Sequence, residues 1–340
     1  MRTVKETLKK LVEAWGPSGY EHHVRDLIRA EVEPYADDIR VDGLGNLICR
    51  VGQGGTKVMI AAHMDEIGVM AMYQEKKSGY LRFTNIGGLL NTTMVGGRVK
   101  FEDGTIGVIG YSDYFGSGRT NVPELDHFFI DVSDGSESNG DAPQDKAARP
   151  AVFWRTMEER GTRWIAKSMD DRVGCLVAIE TMRRLNKQTP NELYFVFTVQ
   201  EEVGLRGART AAYGVDPDLA IALDVTATGD LVQNLKMGIK LGGGAAIKVH
   251  DTGLVVPPAV RDWMIARAEA DGIPYQLELL TLGTTDAAAA QTSRAGVPSG
   301  AISIPCRFVH TTSETVEISD VEACVRLLEG LLKNPAALPQ

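Results

Sequence analysis

The stretch "KVMIAAHMDEIG", Lys57–Gly68, places the apolar run Val58–Ala62 directly before a histidine, His63, with Asp65 and Glu66 just beyond. A short continuous apolar run of this length reads as a strand buried on both faces. Such strands build parallel sheets covered by helices, and ligands bind beyond the carboxyl ends of their strands. The fold and the chemistry therefore turn on one question: whether other metal-type ligands stand at the ends of other buried strands.

Four more segments answer it. "ELYFVFTVQEEVG" is an apolar strand followed by Glu201 and Glu202. "LAIALDVT" is a strand ending at Asp224, and "SGAISIPCRFVH" is a strand with His310 a short loop beyond. In "SMDDRVGCLVAIETMRRL", Asp170 opens a helix whose apolar stripe is Val173, Leu176, Val177, Ile179 and Met182; the helix dipole and free N–H groups favour a carboxylate there. If these strands are parallel neighbours, two imidazoles and at least three carboxylates meet in one crevice. That set is enough for two metal ions with one carboxylate bridging, and with no thiolate it suits an open catalytic site.

The rest of the chain frames this core. Helical spacing predicts helices over about 4–14 and around Val24–Val32, with "GPSG" between them. "DIRVDGLGNLICRVG" reads as a hairpin. Between about 69 and 166 the sequence offers strand fragments and glycines but no convincing helix, the mark of an inserted β-rich domain. Within it, Asp134–Pro150 is polar and predicts a long surface loop or degenerate helix. The expected fold is α/β: a mostly parallel-core sheet covered by helices over 1–66 and 165–340, with a β-rich insert over 67–164.

Composition narrows the function. The 340 residues are 44% hydrophobic and 24% charged, ordinary for a globular protein with one large core or two domains. A net charge of −9 argues against a nucleic-acid partner. Four cysteines without CxxC spacing fit a reduced, cytoplasmic protein. The N-terminus lacks the apolar core of a signal peptide, and no run of about 18 apolar residues predicts a membrane span. His22 and His23 read as surface residues at a helix start; His127 and His250 read as structural. Gly242–Gly244 lacks dinucleotide or P-loop spacing, and no GxSxG elbow is present.

Taken together, "AAHMDEIG", "SMDDRVG", "VQEEVGLRGA", "ALDVT" and "ISIPCRFVHTTSE" resemble the dinuclear-metal, self-compartmentalising tetrahedral aminopeptidases, a family that includes glutamyl, leucyl and deblocking enzymes. The resemblance runs from "WGPSGYE" to the C-terminal helix. It implies that His63, Asp170 and Asp224 hold one metal, and that Asp170, Glu202 and His310 hold the other, with Asp170 bridging. It makes Glu201 the general base that deprotonates a bridging water, and Asp65 the acid that orients His63. It implies two divalent ions per subunit (zinc or cobalt, with manganese as another option), peptide substrates, a PDZ-like dimerisation insert, and a homododecamer built from dimers. Glu201 and Glu202 are sequence neighbours, so the chain must turn there for both to reach one site.

Two segments depart from the family pattern: the Asp134–Pro150 loop, and "LGTTDAA" at Leu282–Ala288, where threonine replaces an expected second glycine. The latter is expected to line the substrate pocket, with Asp286 a candidate to receive the substrate's α-amino group. Neutral or broad specificity is expected. The competing readings are a related deacylase or carboxypeptidase, an endoglucanase, and a non-catalytic assembly protein. Two-carboxylate glycosidases need no metal cluster, and a non-catalytic relative should have lost ligands that are all present here.

Overall fold

The computed structural model describes residues 3–112, 124–133, 147–230 and 236–336. The chain opens with α1 (Val4–Glu13) and α2 (His22–Val32), which bury the apolar positions that predicted them, Leu8, Leu11 and Val12 on one and Val24, Ile28 and Val32 on the other. Thr3 and Glu6 form a capping box on α1, which satisfies two otherwise orphaned N–H groups. β1 (Asp38–Val41) and β2 (Leu47–Val51) form the expected hairpin. Its turn is closed by Asp42, whose Oδ1 accepts from the N–H groups of Leu44, Gly45 and Asn46. The stretch that decides the fold becomes β3 (Lys57–His63), buried from Val58 onward.

Six strands follow: β4 (Gly68–Gln74), β5 (Leu81–Ile86), β6 (Arg98–Phe101), β7 (Ile106–Tyr111), β8 (Phe128–Asp131) and β9 (Pro150–Phe153). They close into a barrel in the order β4-β5-β8-β7-β6-β9 around its own apolar core, which includes Val69, Phe83, Val99, Phe101 and Ile130. Closure removes the exposed strand edges that short antiparallel strands otherwise present. Of the polar stretch at 134–150, residues 134–146 lie outside the described residues, and Pro150 begins β9.

The remaining elements are β10 (Glu158–Arg160), β11 (Arg163–Ala166), α3 (Met169–Leu185), β12 (Glu192–Thr198), α4 (Arg206–Val215), β13 (Leu219–Thr226), β14 (Ala245–His250), α5 (Pro258–Ala270), β15 (Tyr275–Leu279), α6 (Asp286–Gln291), β16 (Ser299–Arg307), β17 (Glu314–Glu317) and α7 (Ile318–Leu332). β10 and β11 correct the sequence-derived limit of the insert at 164. They join the large sheet, where β11 pairs with β17 in the register Trp164↔Val316, and Trp164 packs in the large core. Strands of three or four residues carry too little periodicity to announce which sheet they join.

The large sheet runs β1-β2-β12-β3-β13-β16-β17-β11-β10, with β14 and β15 added beside β16. Its centre, β12-β3-β13-β16, is parallel throughout. Four carboxyl ends therefore lie at one edge, with Thr198 opposite His63 and Asp224 opposite Ser303. α3 packs on β3 and β13 between α1 and α7, and is buried nearly all round. Each fully buried Leu or Ile on it contributes about 1.5–3 kcal/mol. The N–H groups of Gly242 and Gly244 donate to Asp320 at 2.7 and 2.8 Å, so this glycine run is a structural turn held by α7.

Candidate metal centre

β3 ends by delivering a fully oriented imidazole. His63 is 2% exposed. Its Nδ1 faces only acceptors, the backbone oxygen of Asp65 at 3.1 Å and the Asp65 carboxylate at 3.5 Å, so Nδ1 carries the proton and Nε2 presents a lone pair. That lone pair lies 3.0 Å from Asp170 Oδ1. Two electron pairs at this separation require a proton or a cation between them.

Asp170 lies at the start of α3, but its backbone and that of Asp171 are not helical. Its carboxylate spans the two imidazoles: Oδ1 faces His63, and Oδ2 is 3.3 Å from Nε2 of His310. His310 Nε2 is also 3.2 Å from Glu202 Oε2, while Glu202 Oε1 is buried without a hydrogen-bond partner among the described residues. Asp224 lies inside β13 rather than after it, and its Oδ1 is 4.0 Å from His63 Nε2. Glu201 Oε2 approaches the same nitrogen at 3.9 Å. His63, Asp170, Glu201, Glu202, Asp224 and His310 thus all meet in one pocket.

The turn required by adjacent Glu201 and Glu202 is present. Gln200 adopts left-handed φ of 55°, and the chain reverses before α4. Asp65 holds this turn. Its buried carboxylate accepts from the N–H of Glu201 at 3.0 Å, the N–H of Glu202 at 3.2 Å and the hydroxyl of Ser18 at 2.6 Å. Its carboxylate therefore fixes the two glutamates more directly than it fixes the histidine ring. Left-handed residues also bracket the other ligands, at Ser168 and at His310 itself. Such conformations cost of order 1–3 kcal/mol each and persist only where the surroundings impose them.

The electrostatics call for positive charge. Burial and then neighbouring acids push the carboxyls of Glu201, Glu202, Asp171 and Asp224 above their ordinary values. Burial also opposes ionisation of Asp170, but the facing rings of His310 and His63, when they carry positive charge, outweigh it and hold that carboxyl low. Burial lowers the proton affinity of His310, yet Asp170 and Glu202 outweigh it and carry the ring to about 12. His63 is raised in the same way by Glu201, Asp170 and Asp65. Nitrogen and carboxylate donors with surplus negative charge are the donor set that divalent cations satisfy.

Several supporting residues carried no role in the sequence reading. Asp171 accepts from the N–H of His63 at 3.2 Å and of Gly174 at 3.0 Å; its adjacency to Asp170 was the available signal. Glu314, closing "HTTSE", accepts from the N–H groups of Asp170 at 3.1 Å and His310 at 2.8 Å. Beneath them Glu66 is buried against Lys167 at 2.5 Å and Arg172 at 3.4 Å; no local pattern announces a contact spanning 101 residues.

A cavity of about 850 Å³ opens over the cluster. Glu201, Glu202, Asp170, Asp224 and His310 line it, and the segment around Leu282–Thr285 forms part of its wall, as expected. The barrel contributes Gly88, where a Cβ would stand 3.1 Å from His310 Nδ1. Asp286 lies just behind the Leu282–Thr285 segment. It is 3% exposed, lies off the cavity wall, and accepts from the Thr198 hydroxyl at 2.5 Å. Asp286 opens α6, where Thr285 caps the helix, and it acts on the charges of Glu201 and Asp224.

Residues 45–327 match the family model described as M42 glutamyl aminopeptidase. The chain belongs to the M42 glutamyl aminopeptidase family. It is 34% identical to the lysyl aminopeptidase of Pyrococcus furiosus, over 97% of this chain and 96% of that protein. Aminopeptidase APDkam598 from the archaeon Desulfurococcus kamchatkensis superposes with a TM-score of 0.91 at 38% identity, covering 99% of this chain and 95% of the other. The Pyrococcus horikoshii TET1 peptidase, described as able to assemble into a tetrahedron or a large octahedral shell, superposes with a TM-score of 0.85 at 33% identity over 97% and 99%. As an M42 member the chain is a metal-dependent aminopeptidase, and the family implies divalent metal ions. Among the described residues no helix is long and apolar enough to cross a membrane.

Proposed function

We propose that this chain removes N-terminal residues from peptides with Glu201 as general base, at a pair of divalent cations. His63, Asp170 and Asp224 would hold one ion and Asp170, Glu202 and His310 the other. The observation that carries this reading is the placement of Asp170, with one carboxylate oxygen facing each imidazole. Bound there, the cations supply Lewis acidity, which activates water near neutral pH and polarises the scissile carbonyl. Glu201 lies on the cavity wall beside them, and its carboxyl is tuned upward by burial, as suits a group that must both take and give a proton. It accepts the proton of the attacking water and returns it to the departing amine. Asp65 keeps Glu201 and Glu202 in register, and Glu314 fixes the backbone of Asp170 and His310.

The donors suit zinc or cobalt, with manganese also compatible. The cavity wall includes Val225, Ala227, Leu280, Leu282 and Phe308, which supports removal of uncharged N-terminal residues. Exposed Met72, Tyr73 and Val108 on the barrel support a PDZ-like insert over about 68–153 that pairs subunits into dimers, and dimers into a dodecamer. The free, buried cysteines suit a cytoplasmic setting.

Glu201→Gln tests the proposal. Turnover of aminoacyl reporters should fall by about 10²–10⁴-fold, the usual worth of a general base, while both cations of the catalytic cluster remain bound. A metal-loaded variant with full activity would remove Glu201 as the base.

A further inference from the structure

We propose that His22, His23 and Glu102 form a third divalent-cation site, away from the catalytic cluster, that pins the barrel to the large domain. The two histidines lie in the first turn of α2, and Glu102 lies just beyond β6 in the barrel. Nε2 of His22 and Nε2 of His23 stand 3.1 and 3.2 Å from one and the same oxygen of Glu102, and all three donor atoms lie within 4.8 Å of one another. For metal–ligand bonds of about 2.1 Å, neighbouring donors are separated by about 3.0 Å at right angles and about 3.4 Å at the tetrahedral angle. Both nitrogen–oxygen spacings fall between those limits.

Adjacent residues on a helix ordinarily diverge. Here the two rings are 4.1 Å apart, and Trp15 meets both edge-on at 6.4 and 5.9 Å. Trp15 is itself fixed: it is 8% exposed, and its Nε1 donates to the Lys100 carbonyl at 3.0 Å, two residues before Glu102. The same junction thus positions all three donors. Among the described residues, Glu102 has no lysine or arginine partner; its ion-pair partners are these two rings. A carboxylate offers about four lone-pair sites over two oxygens, so two simple N–H donors have room to spread. Both nitrogens instead converge on one point. Two imidazoles and one carboxylate, half exposed, leave the remaining positions to water and suit zinc or another borderline cation.

Metal-stripped full-length protein is titrated with zinc chloride by calorimetry and equilibrium dialysis, in wild type, Glu102→Gln and the double variant His22→Ala/His23→Ala. Each variant should bind one zinc fewer per chain than wild type, with kcat/KM on an aminoacyl reporter within about twofold of wild type. Equal zinc in wild type and both variants overturns the site. Should the double variant fail to fold, the near-isosteric Glu102→Gln decides alone, with its retained activity reporting an intact fold.

Discussion

Asp65→Asn separates positioning from chemistry, because it leaves every proposed ligand and the proposed base in place. The carboxylate of Asp65 accepts three hydrogen bonds, one on Oδ1 and two on Oδ2. Burial pushes its carboxyl up, but the bonds with His63, Ser18 and the Glu201 N–H outweigh this and hold it below the ordinary range. A depressed folded pKa contributes stability above the unfolded value of about 3.9, which is lost as pH falls through the folded value. An amide has one acceptor oxygen. The best orientation turns its NH₂ to the Oδ2 side, where the Ser18 hydroxyl can rotate to accept, but the Glu202 N–H then faces a donor. One charge-assisted bond is lost, about 1.5–3 kcal/mol, and a buried N–H is left unpaired, about 1–3 kcal/mol more. The turn carrying Glu201 and Glu202 should shift to relieve this, and a displacement of about 1 Å costs on the order of 10² in rate. We expect kcat to fall about 10²-fold, with the second cation bound more weakly and the first retained. Steady-state kinetics with metal analysis by mass spectrometry reads both. Wild-type kcat and metal content in Asp65→Asn would refute the positioning role.

Other perturbations test neighbouring links. Asp170→Asn should reduce affinity for both cations at once, because one side chain faces both imidazoles; metal analysis showing loss of only one would break the bridging assignment. Metal affinity should fall as pH is lowered, with protons taken up as metal leaves. Because the surrounding acids raise the proton affinity of His63 and His310, the competition should begin above the ordinary histidine range near 6.5; affinity measured from pH 6 to 9 that stays flat would contradict it.

The central architecture was legible because four apolar strands end on ligand-type residues, and parallel sheets bring such ends together. His63, Glu202 and His310 could be found from that rule. The need for a turn at Glu201 and Glu202 was legible too, but the register that places Asp224 within β13 and the form of that turn were not, because left-handed backbone at Gln200 and His310 is imposed by tertiary contacts. The burial of Asp286 was not legible either, because it follows from packing of the alanine face of α6. The edge of the barrel was misplaced because β10 and β11 are too short to carry a pattern. His22 and His23 read as ordinary surface residues, since their partner Glu102 is 80 and 79 residues away.

Anomalous diffraction at the zinc edge from crystals of the zinc-loaded protein tests the central claim most directly. Two peaks are expected at the catalytic cluster, one within bonding distance of His63, Asp170 and Asp224 and the other of Asp170, Glu202 and His310. An absence of density between Asp170 and the two imidazoles, in protein that hydrolyses aminoacyl reporters under the same conditions, would contradict it.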